Sequence, residues 1–206
     1  MIRYYFLPYY FNILNIDKQI SLINSKKIKT TSILIQIGFI SGLIVILNRI
    51  RSGDQVPIIS EHVSSSTINI ILFMMGFFGA LYIVLSYFIF FYIVSQLQVI
   101  NSDSIKRELF SISVLSYIPI LIGTIINSLL NLFYYNPYGY TNLIGLFQPE
   151  NKKIFLLLAE FDFFKICSIV MISLLYVKFY KKSWRTFYIV LIVWLTINIG
   201  GSFLML

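Results

Sequence analysis

The sequence predicts an all-α membrane protein: a polytopic membrane bundle of five transmembrane helices preceded by an N-terminal interfacial amphipathic helix. Hydrophobic residues make up 58% of the 206 residues and charged residues only 12%, whereas soluble domains are about a quarter charged. The core of one soluble domain cannot hide this much apolar surface, so lipid must solvate part of it. The apolar residues also form long continuous runs, unlike the short alternating segments of a membrane β-barrel.

The transmembrane spans are predicted from the lengths of these apolar runs. About twenty apolar residues cross a hydrocarbon core of roughly 30 Å as a helix, because each residue adds about 1.5 Å. The second run exceeds this length and can tilt. The five predicted spans cover residues 31–48, 67–96, 109–132, 154–177 and 186–206, which together form a transmembrane domain of residues 31–206.

Residues 1–30 are predicted to form a cytoplasmic interfacial segment. Bulky aromatic residues flank Pro8 and no small-residue cleavage site follows, so the stretch differs from a signal peptide. Aromatic side chains of this kind prefer the headgroup region, and proline suits the first turn of a helix. We expect a helix from Pro8 to Asn24, with an irregular surface segment as the alternative. Its membrane side is expected to carry Phe11, Leu14, Ile20 and Ile23.

The distribution of lysine and arginine predicts how the chain is oriented. Cytoplasmic loops of membrane proteins carry an excess of these residues. The N-terminal segment and the two loops expected on its side of the membrane hold eleven, whereas the two opposite loops hold four. The N-terminus is therefore predicted in the cytoplasm and the C-terminus outside, in a multi-pass protein of the cell membrane. The net charge of +8 is assigned to these loops and not to a nucleic-acid surface.

Charged residues occur within the fourth apolar run, at Glu160, Asp162 and Lys165. A charge at the centre of a bilayer costs about 2.5 kcal/mol or more, so it seldom lacks a role. Asp162 and Lys165 share one helical face and are predicted to pair, whereas Glu160 is less well placed. The pair would form a buried ionic site. In the alternative, residues 152–162 lie along the outer interface, the span starts near Phe163, and Lys165 extends to the headgroups.

A polar stripe runs along the third predicted span. Its members recur at three- and four-residue intervals and so share one face of the helix. In lipid, such residues turn inward to find hydrogen-bond partners. The stripe is predicted to join helices inside the bundle, or alternatively to line a hydrophilic cavity, and Pro119 should kink the helix. The stripe consists of Ser113, Ser116, Thr124, Asn127 and Asn131.

Small residues four positions apart mark two helix-packing faces. Gly38 and Gly42 lie in the first span, and Gly76 and Ala80 lie in the second. This spacing lets another helix approach closely. Both faces are predicted to pack inside the bundle, and contact with a partner protein is the alternative.

Residues suited to catalysis or metal binding are sparse in the sequence. His62 is the single histidine, whereas zinc sites need three or four ligands. The sequence contains neither a GxSxG nor a GxxxxGK[ST] motif. Cys167 is the single cysteine and is predicted to pack as a small apolar side chain. No enzyme activity, metal or cofactor is therefore expected.

Several stretches resemble the Yip (Ypt-interacting protein) domain family in its short bacterial form. The third run, SVLSYIPILIGTIINSLL, is similar to that family's helix with a central Tyr-x-Pro. The fourth, LLLAEFDFFKICSIVMISLLYVKFY, resembles its Asp-x-Phe entry into a membrane helix, with Cys167 near the position of a frequent tryptophan. The fifth, KKSWRTFYIVLIVWLTINIG, resembles its basic turn and closing helix, and FLPYYFNILNIDKQ is similar to its proline-led start.

This resemblance implies a function as well as a topology. It implies five helices, a cytoplasmic N-terminus and no enzyme activity. Eukaryotic relatives work in vesicle traffic with small GTPases, whereas some bacterial relatives accompany ABC-type exporters and help protect cells from antimicrobial peptides. By analogy we expect a non-catalytic accessory subunit of an ABC-type exporter, in bacteriocin export or immunity. Its partners would be the lipid bilayer, a permease and its ATPase, with a peptide as a further ligand.

Two mechanisms are open at this point. An accessory subunit would dock on its partner through the Gly38/Gly42 face or the region of Asp162 and Lys165. The alternative function is a small membrane transporter or channel-like protein that uses the polar stripe of the third helix.

Overall fold

The computed structural model describes residues 15–25, 29–52, 64–100, 102–133, 136, 139–147, 151, 154–155, 158 and 160–204, and these are mostly helical. Within these residues the all-α prediction is confirmed, because no strand occurs among them. Pro8, Phe11, Leu14 and His62 lie outside the described residues. The helices are α1 (Ile16–Asn24), α2 (Thr30–Ser52), α3 (Ser65–Leu97), α4 (Ile105–Ser116), α5 (Ile118–Phe133), α6 (Ile144–Phe147), α7 (Phe163–Phe179) and α8 (Trp184–Leu204).

Three helical segments are long and apolar enough to cross a membrane. They are Thr30–Arg49, Ser65–Leu97 and Ile105–Phe133, and they match the first three predicted spans. The fourth span was predicted from residue 154, but α7 begins at Phe163, as in the alternative interpretation. The reason is local: the Asp162 side chain accepts a hydrogen bond from the backbone N–H of Lys165 and so caps a new helix there.

The kink predicted for the third span coincides with an interruption of its helix. Helix α4 ends at Ser116 and α5 starts at Ile118, so Tyr117 lies between two helical segments. Pro119 has no backbone N–H to donate to the carbonyl of Leu115, and its ring restricts the preceding turn. Around the kink the chain is fully buried, with Leu115, Ile118 and Leu121 at most 1% exposed. The bundle is therefore tightly packed where this span bends.

Helices α2 and α3 are in close contact through glycine. A Cβ atom built on Gly42 would lie 2.8 Å from the backbone oxygen of Phe73, and one built on Gly76 would lie 2.8 Å from the backbone oxygen of Ser41. Only hydrogen at these positions lets the two backbones come so near. The glycine face of each helix therefore meets the other helix.

The rest of these two small-residue faces is also covered. A Cβ atom on Gly38 would lie 2.9 Å from the ring of Phe77. Ala80 is buried at 2% exposure. The Gly38/Gly42 face is thus occupied by α3, which leaves no open glycine surface there for a partner protein.

The N-terminal helix packs differently from the prediction. Asn15 caps α1 by accepting a hydrogen bond from the N–H of Lys18, so the described helix starts at Ile16. Ile23 was expected on the membrane side, but it is buried in the core of the bundle, and Ile20 packs against that core. The apolar face of α1 covers α4 and α7. This apolar face is therefore buried against the bundle and is not available for contact with lipid.

Two helices expose broad apolar faces. Helix α3 projects Met75 at 65% and Tyr82 at 73% exposure. Helix α8 exposes Tyr188, Ile189 and Ile192. Apolar area of this extent needs lipid or another protein against it. The fold therefore has an internal layer around α4, α5 and α7 and an outer surface suited to a bilayer.

We predict that Gly76→Ala destabilises the protein by about 1–3 kcal/mol, because the added methyl group meets backbone atoms that cannot move aside by changing rotamer. Gly79→Ala is the matched control on the same helix, since a Cβ atom there has nothing within 4 Å. The control should leave stability unchanged or raise it slightly. Thermal unfolding of the purified protein in detergent measures both. Equal effects of the two substitutions would contradict the packing described here.

Candidate functional site

The polar residues near the end of α5 converge on the segment that precedes α7. The Nδ2 atom of Asn127 donates to Thr141 Oγ1 at 2.7 Å, and its Oδ1 accepts from the backbone N–H of Tyr140 at 2.8 Å. Thr141 Oγ1 in turn donates to Asp162 Oδ2. Asn127 of the third predicted span and Asp162 of the fourth therefore belong to one site, which we call the Asn127–Thr141–Asp162 network.

The donor and the acceptor of each hydrogen bond in this network are fixed. A threonine hydroxyl carries one proton, and that proton points to the carboxylate of Asp162, so Thr141 accepts from the amide of Asn127. The other carboxylate oxygen, Asp162 Oδ1, accepts from the N–H of Lys165 at 2.9 Å. The backbone pairs here as well, because the N–H of Phe163 donates to the carbonyl oxygen of Thr141 at 3.0 Å. Asp162 thus fixes both the start of α7 and the preceding loop.

The prediction that Lys165 forms an ion pair with Asp162 is wrong. The ammonium group of Lys165 contacts the carboxylate of Glu160 instead, and both side chains are partly buried. The cause is the helix cap, which directs Asp162 to the backbone N–H of Lys165 and not to its side chain. Residue 160 precedes the start of α7, so the spacing rule for residues within one helix does not apply to it.

A turn next to the network uses the last residue of the stripe. Asn131 Oδ1 accepts from the backbone N–H of Asn136 at 2.9 Å, and Asn136 Nδ2 donates to the carbonyl oxygen of Gly139 at 3.1 Å. Gly139 has a φ of +79°, in the left-handed region that glycine adopts readily. Asn131 therefore orders the loop that supplies Thr141.

The other residues of the stripe are engaged within the bundle. Ser113, Ser116 and Thr124 each donate to a carbonyl oxygen four residues earlier on their own helix, at 2.8 Å. Ser113 and Ser116 are fully buried. This is the way a hydroxyl group is accommodated inside a membrane helix. The geometry favours a packing role for these three side chains over the lining of a hydrophilic cavity.

One buried polar contact joins helices at the kink. Ser168 Oγ donates to the carbonyl oxygen of Ser116 at 2.5 Å and lies 2.9 Å from the hydroxyl of Tyr87. Because the single proton of Ser168 is already engaged, Tyr87 must be the donor of the second bond. Helices α3, α4 and α7 are thereby connected through a carbonyl group next to the kink. Cys167, the neighbour of Ser168, is partly buried and has a free thiol.

A second polar group of residues lies at the opposite end of the bundle, around Glu108. The Glu108 carboxylate accepts from the hydroxyl of Tyr180 at 3.1 Å and from Ser102 at 3.2 Å, and it also contacts the hydroxyl of Ser104. Burial together with the negative charge of Glu108 raises the pKa of Tyr180, so the phenol stays a donor at neutral pH. We call this group the Glu108–Tyr180 network.

Further contacts fasten the same end. Tyr176 donates to Gln98 Oε1 at 3.2 Å, and Lys178 lies 3.1 Å from the carboxylate of Asp17 on α1. The loop after α3, the end of α7 and α1 are therefore held together there.

The two networks lie one membrane thickness apart. Asp162 and Tyr180 flank α7 and are 18 residues apart, which corresponds to about 27 Å along a helix. Asn127 and Glu108, their partners on α5 and α4, are 19 residues apart, or at most about 28 Å. The hydrocarbon core of a bilayer is about 30 Å thick. The site is thus suited to fixing helix ends at two interfaces.

The chemistry available in this arrangement is that of hydrogen bonding and ion pairing. Within the described residues no group of three histidine, cysteine, aspartate or glutamate side chains is placed to hold a metal ion. The carboxylates of Asp162 and Glu108 already accept several hydrogen bonds.

Several residues of the two networks were not predicted from the sequence. Thr141 and Glu108 lie in or near loops, where a single polar residue gives no periodic signal. Gly123 was missed too, although a Cβ atom there would lie 2.5 Å from the ring of Phe164. Its partner is on another helix and no second small residue accompanies it at the four-residue spacing that marks such faces.

No family model matches this chain, and no curated protein or solved structure matches it either. The resemblance to the Yip domain family therefore stays a prediction.

We predict that Asp162→Ala destabilises the protein by about 2–3 kcal/mol, because it removes a helix cap and a hydrogen bond to a charged acceptor. Ser64→Ala is the control, since Ser64 caps α3 by accepting from Thr67 but makes no link to another helix within the described part of the chain. The control should cost about 1 kcal/mol or less. Denaturant unfolding in detergent gives both values. If the two substitutions cost the same, the network does not stabilise the loop.

Proposed function

We propose that the chain is a non-catalytic integral membrane protein that crosses the cell membrane five times, with its N-terminus in the cytoplasm and its C-terminus outside. We further propose that it acts as an accessory subunit of an ABC-type exporter, in the export of an antimicrobial peptide (bacteriocin) or in immunity to it. The observation that carries the membrane part is the pair of polar networks about 27 Å apart on α7.

The length of α7 supports a fourth crossing. The helix has 17 residues, fewer than the twenty or so of a typical span. It nevertheless connects the same two polar networks as α4 and α5, which together form one of the three long apolar segments. A helix that accompanies a membrane span from one end to the other belongs in the same layer of lipid.

A fifth crossing by α8 is supported by its packing and its surface. Helix α8 contacts α7, and its buried Trp194 packs against Tyr87 and Phe90 of α3. The opposite side exposes Ile189 and Ile192. A helix with one face against the bundle and another apolar face outward is suited to lipid.

The proposal of an accessory subunit draws on the outward face of α3. This 33-residue helix exposes Ile70, Met75 and Tyr82 along one side. Aromatic and methionine side chains are enriched at protein interfaces. A transmembrane helix of the permease is the proposed occupant, and the exporter context itself comes from the resemblance by analogy. Docking through Gly38 and Gly42 is not part of the proposal, since α3 covers that face.

The transporter alternative receives less support. Asn127 is bonded to Tyr140 and Thr141, and Thr124 to its own helix. Side chains that hold a loop and a helix carbonyl in this way are already occupied by structural contacts, whereas a substrate pathway needs groups that can exchange partners.

We predict a topology that cysteine labelling in intact cells can test. In a Cys167→Ser background, Asn151→Cys should react with a membrane-impermeant thiol reagent, because residue 151 precedes α7 on the proposed outer side. Ser183→Cys, in the basic turn between α7 and α8, should react only after the cells are opened. The reverse pattern would invert the topology, and labelling of both in intact cells would contradict a crossing by α7.

We predict that tagged full-length protein, extracted in mild detergent from its native cells, brings down a permease and an ATPase. The variant Met75→Ala/Tyr82→Ala should reduce their recovery about tenfold, as expected when an aromatic anchor and a second exposed apolar side chain are removed from an interface. Ile189→Ala/Ile192→Ala on α8 is the matched control and should leave recovery unchanged. Unchanged thermal unfolding shows that both variants are folded. If the wild-type protein emerges alone, the exporter proposal fails.

A further inference from the structure

The two ends of the bundle differ strongly in charge. Among the described residues, the end formed by α1, the α3–α4 loop and the α7–α8 turn carries eight basic and three acidic side chains. At the other end the described side chains include two basic residues, Arg49 and Lys165, and two acidic ones, Glu160 and Asp162. We call the first the basic end. Its basic residues are Lys18, Lys29, Lys106, Arg107, Lys178, Lys181, Lys182 and Arg185.

Two of the three acidic residues of the basic end are engaged in contacts within the bundle. Asp17 contacts Lys178 at 3.1 Å. Glu108 accepts hydrogen bonds from Tyr180, Ser102 and Ser104. Asp17 thus offsets one basic side chain, Lys178, and Glu108 accepts from hydroxyl groups, so the excess of basic over acidic side chains keeps a positive potential at this end.

The turn that carries four of the basic residues has a fixed backbone. The N–H of Lys182 donates to the carbonyl oxygen of Val177 at 2.8 Å, and the N–H of Lys181 to that of Lys178 at 3.3 Å. Lys181 has a φ of +51°. These two bonds and the left-handed residue form a Schellman motif, in which glycine is the usual residue. The exposed side chains of Lys181 and Arg185 are therefore presented from an ordered turn.

Apolar and aromatic side chains accompany the charges. Trp184 is 60% exposed directly beside Arg185, and Leu97 is 79% exposed at the end of α3. Tryptophan prefers the level of the lipid headgroups, with its ring toward the acyl chains and its N–H toward water. Lysine and arginine next to such residues are positioned to meet phosphate groups.

We infer that the basic end binds anionic phospholipid headgroups, through Lys106 and Arg107 on α4 and Lys181 and Arg185 at the α7–α8 turn. The ligand chemistry is a phosphate diester held at the depth of Trp184. The attraction of basic side chains to an anionic leaflet supplies the binding, and it falls within a Debye length of about 10 Å. This inference rests on the proposed insertion in a bilayer but needs no exporter partner, so a failed co-purification would leave it intact.

The test uses the full chain in uncharged detergent, with short-chain phosphatidylglycerol as the probe. The readout is tryptophan fluorescence, to which exposed Trp184 and buried Trp194 both contribute. Phosphatidylglycerol should bind about tenfold more tightly than phosphatidylcholine of the same chain length. The preference should disappear in about 0.5 M salt, where the Debye length falls to about 4 Å. Glycerol 3-phosphate should not compete, because it lacks the acyl chains that reach the apolar surface.

The decisive comparison is between two variants of equal charge. Lys181→Gln/Arg185→Gln should lose about tenfold in affinity for phosphatidylglycerol, whereas Lys152→Gln/Lys153→Gln, which precedes α7 in the chain, should bind like the wild type. If the first variant does not fold, Arg185→Gln alone should show part of the loss. Equal affinity for the two lipids, or equal loss in both variants, would overturn the inference. Displacement by glycerol 3-phosphate would indicate a site for free anions. Tighter binding of an RNA oligomer would indicate a nucleic-acid surface. Either result would also overturn the inference.

Discussion

The cost of placing charge in hydrocarbon organises the contacts of this bundle. A charged side chain at the centre of a bilayer costs about 2.5 kcal/mol or more, and the described charged side chains lie toward the ends of the helices, as Glu108 and Asp162 do. Along α7, Tyr180 and the cap residue Asp162 mark two levels of the bundle, about 27 Å apart. Each carboxylate serves as an acceptor for hydroxyl or N–H donors from loops, so the groups that avoid lipid also fasten the connections between helices.

Between the two levels, polar groups are accommodated by the helices themselves. Ser113 and Ser173 donate to carbonyl oxygens of their own helices and are fully buried. The contact between Ser168 and the carbonyl oxygen of Ser116 lies at the last residue of α4, where the helix is interrupted before α5 begins. This interruption makes a backbone acceptor accessible to another helix. The polar side chains between the two levels therefore contribute to packing and do not require water.

The sequence predicts the features of this fold that depend on composition and on spacing along one helix. The three long apolar segments, the kink near Pro119 and the small-residue spacings at Gly42 and Gly76 are such features, since each is local. The partners of Asp162 and Lys165 were harder to predict, because a helix cap and a helix-face pair have the same three-residue spacing. Only the chain direction before Phe163 decides between them, and that direction depends on Thr141, which is distant in sequence.

The position of α1 follows from where its apolar face is buried. Ile23 was expected in the interface, where an amphipathic helix can bury its apolar face in lipid. In the structure the Glu108–Tyr180 network brings α4 and α7 together, and the apolar surface next to it is covered by Ile23. The ion pair between Asp17 and Lys178 lies at the exposed rim of this contact and contributes little in water. Apolar burial against α4 and α7 therefore holds α1 in place. The charged face of α1 is directed toward the basic end.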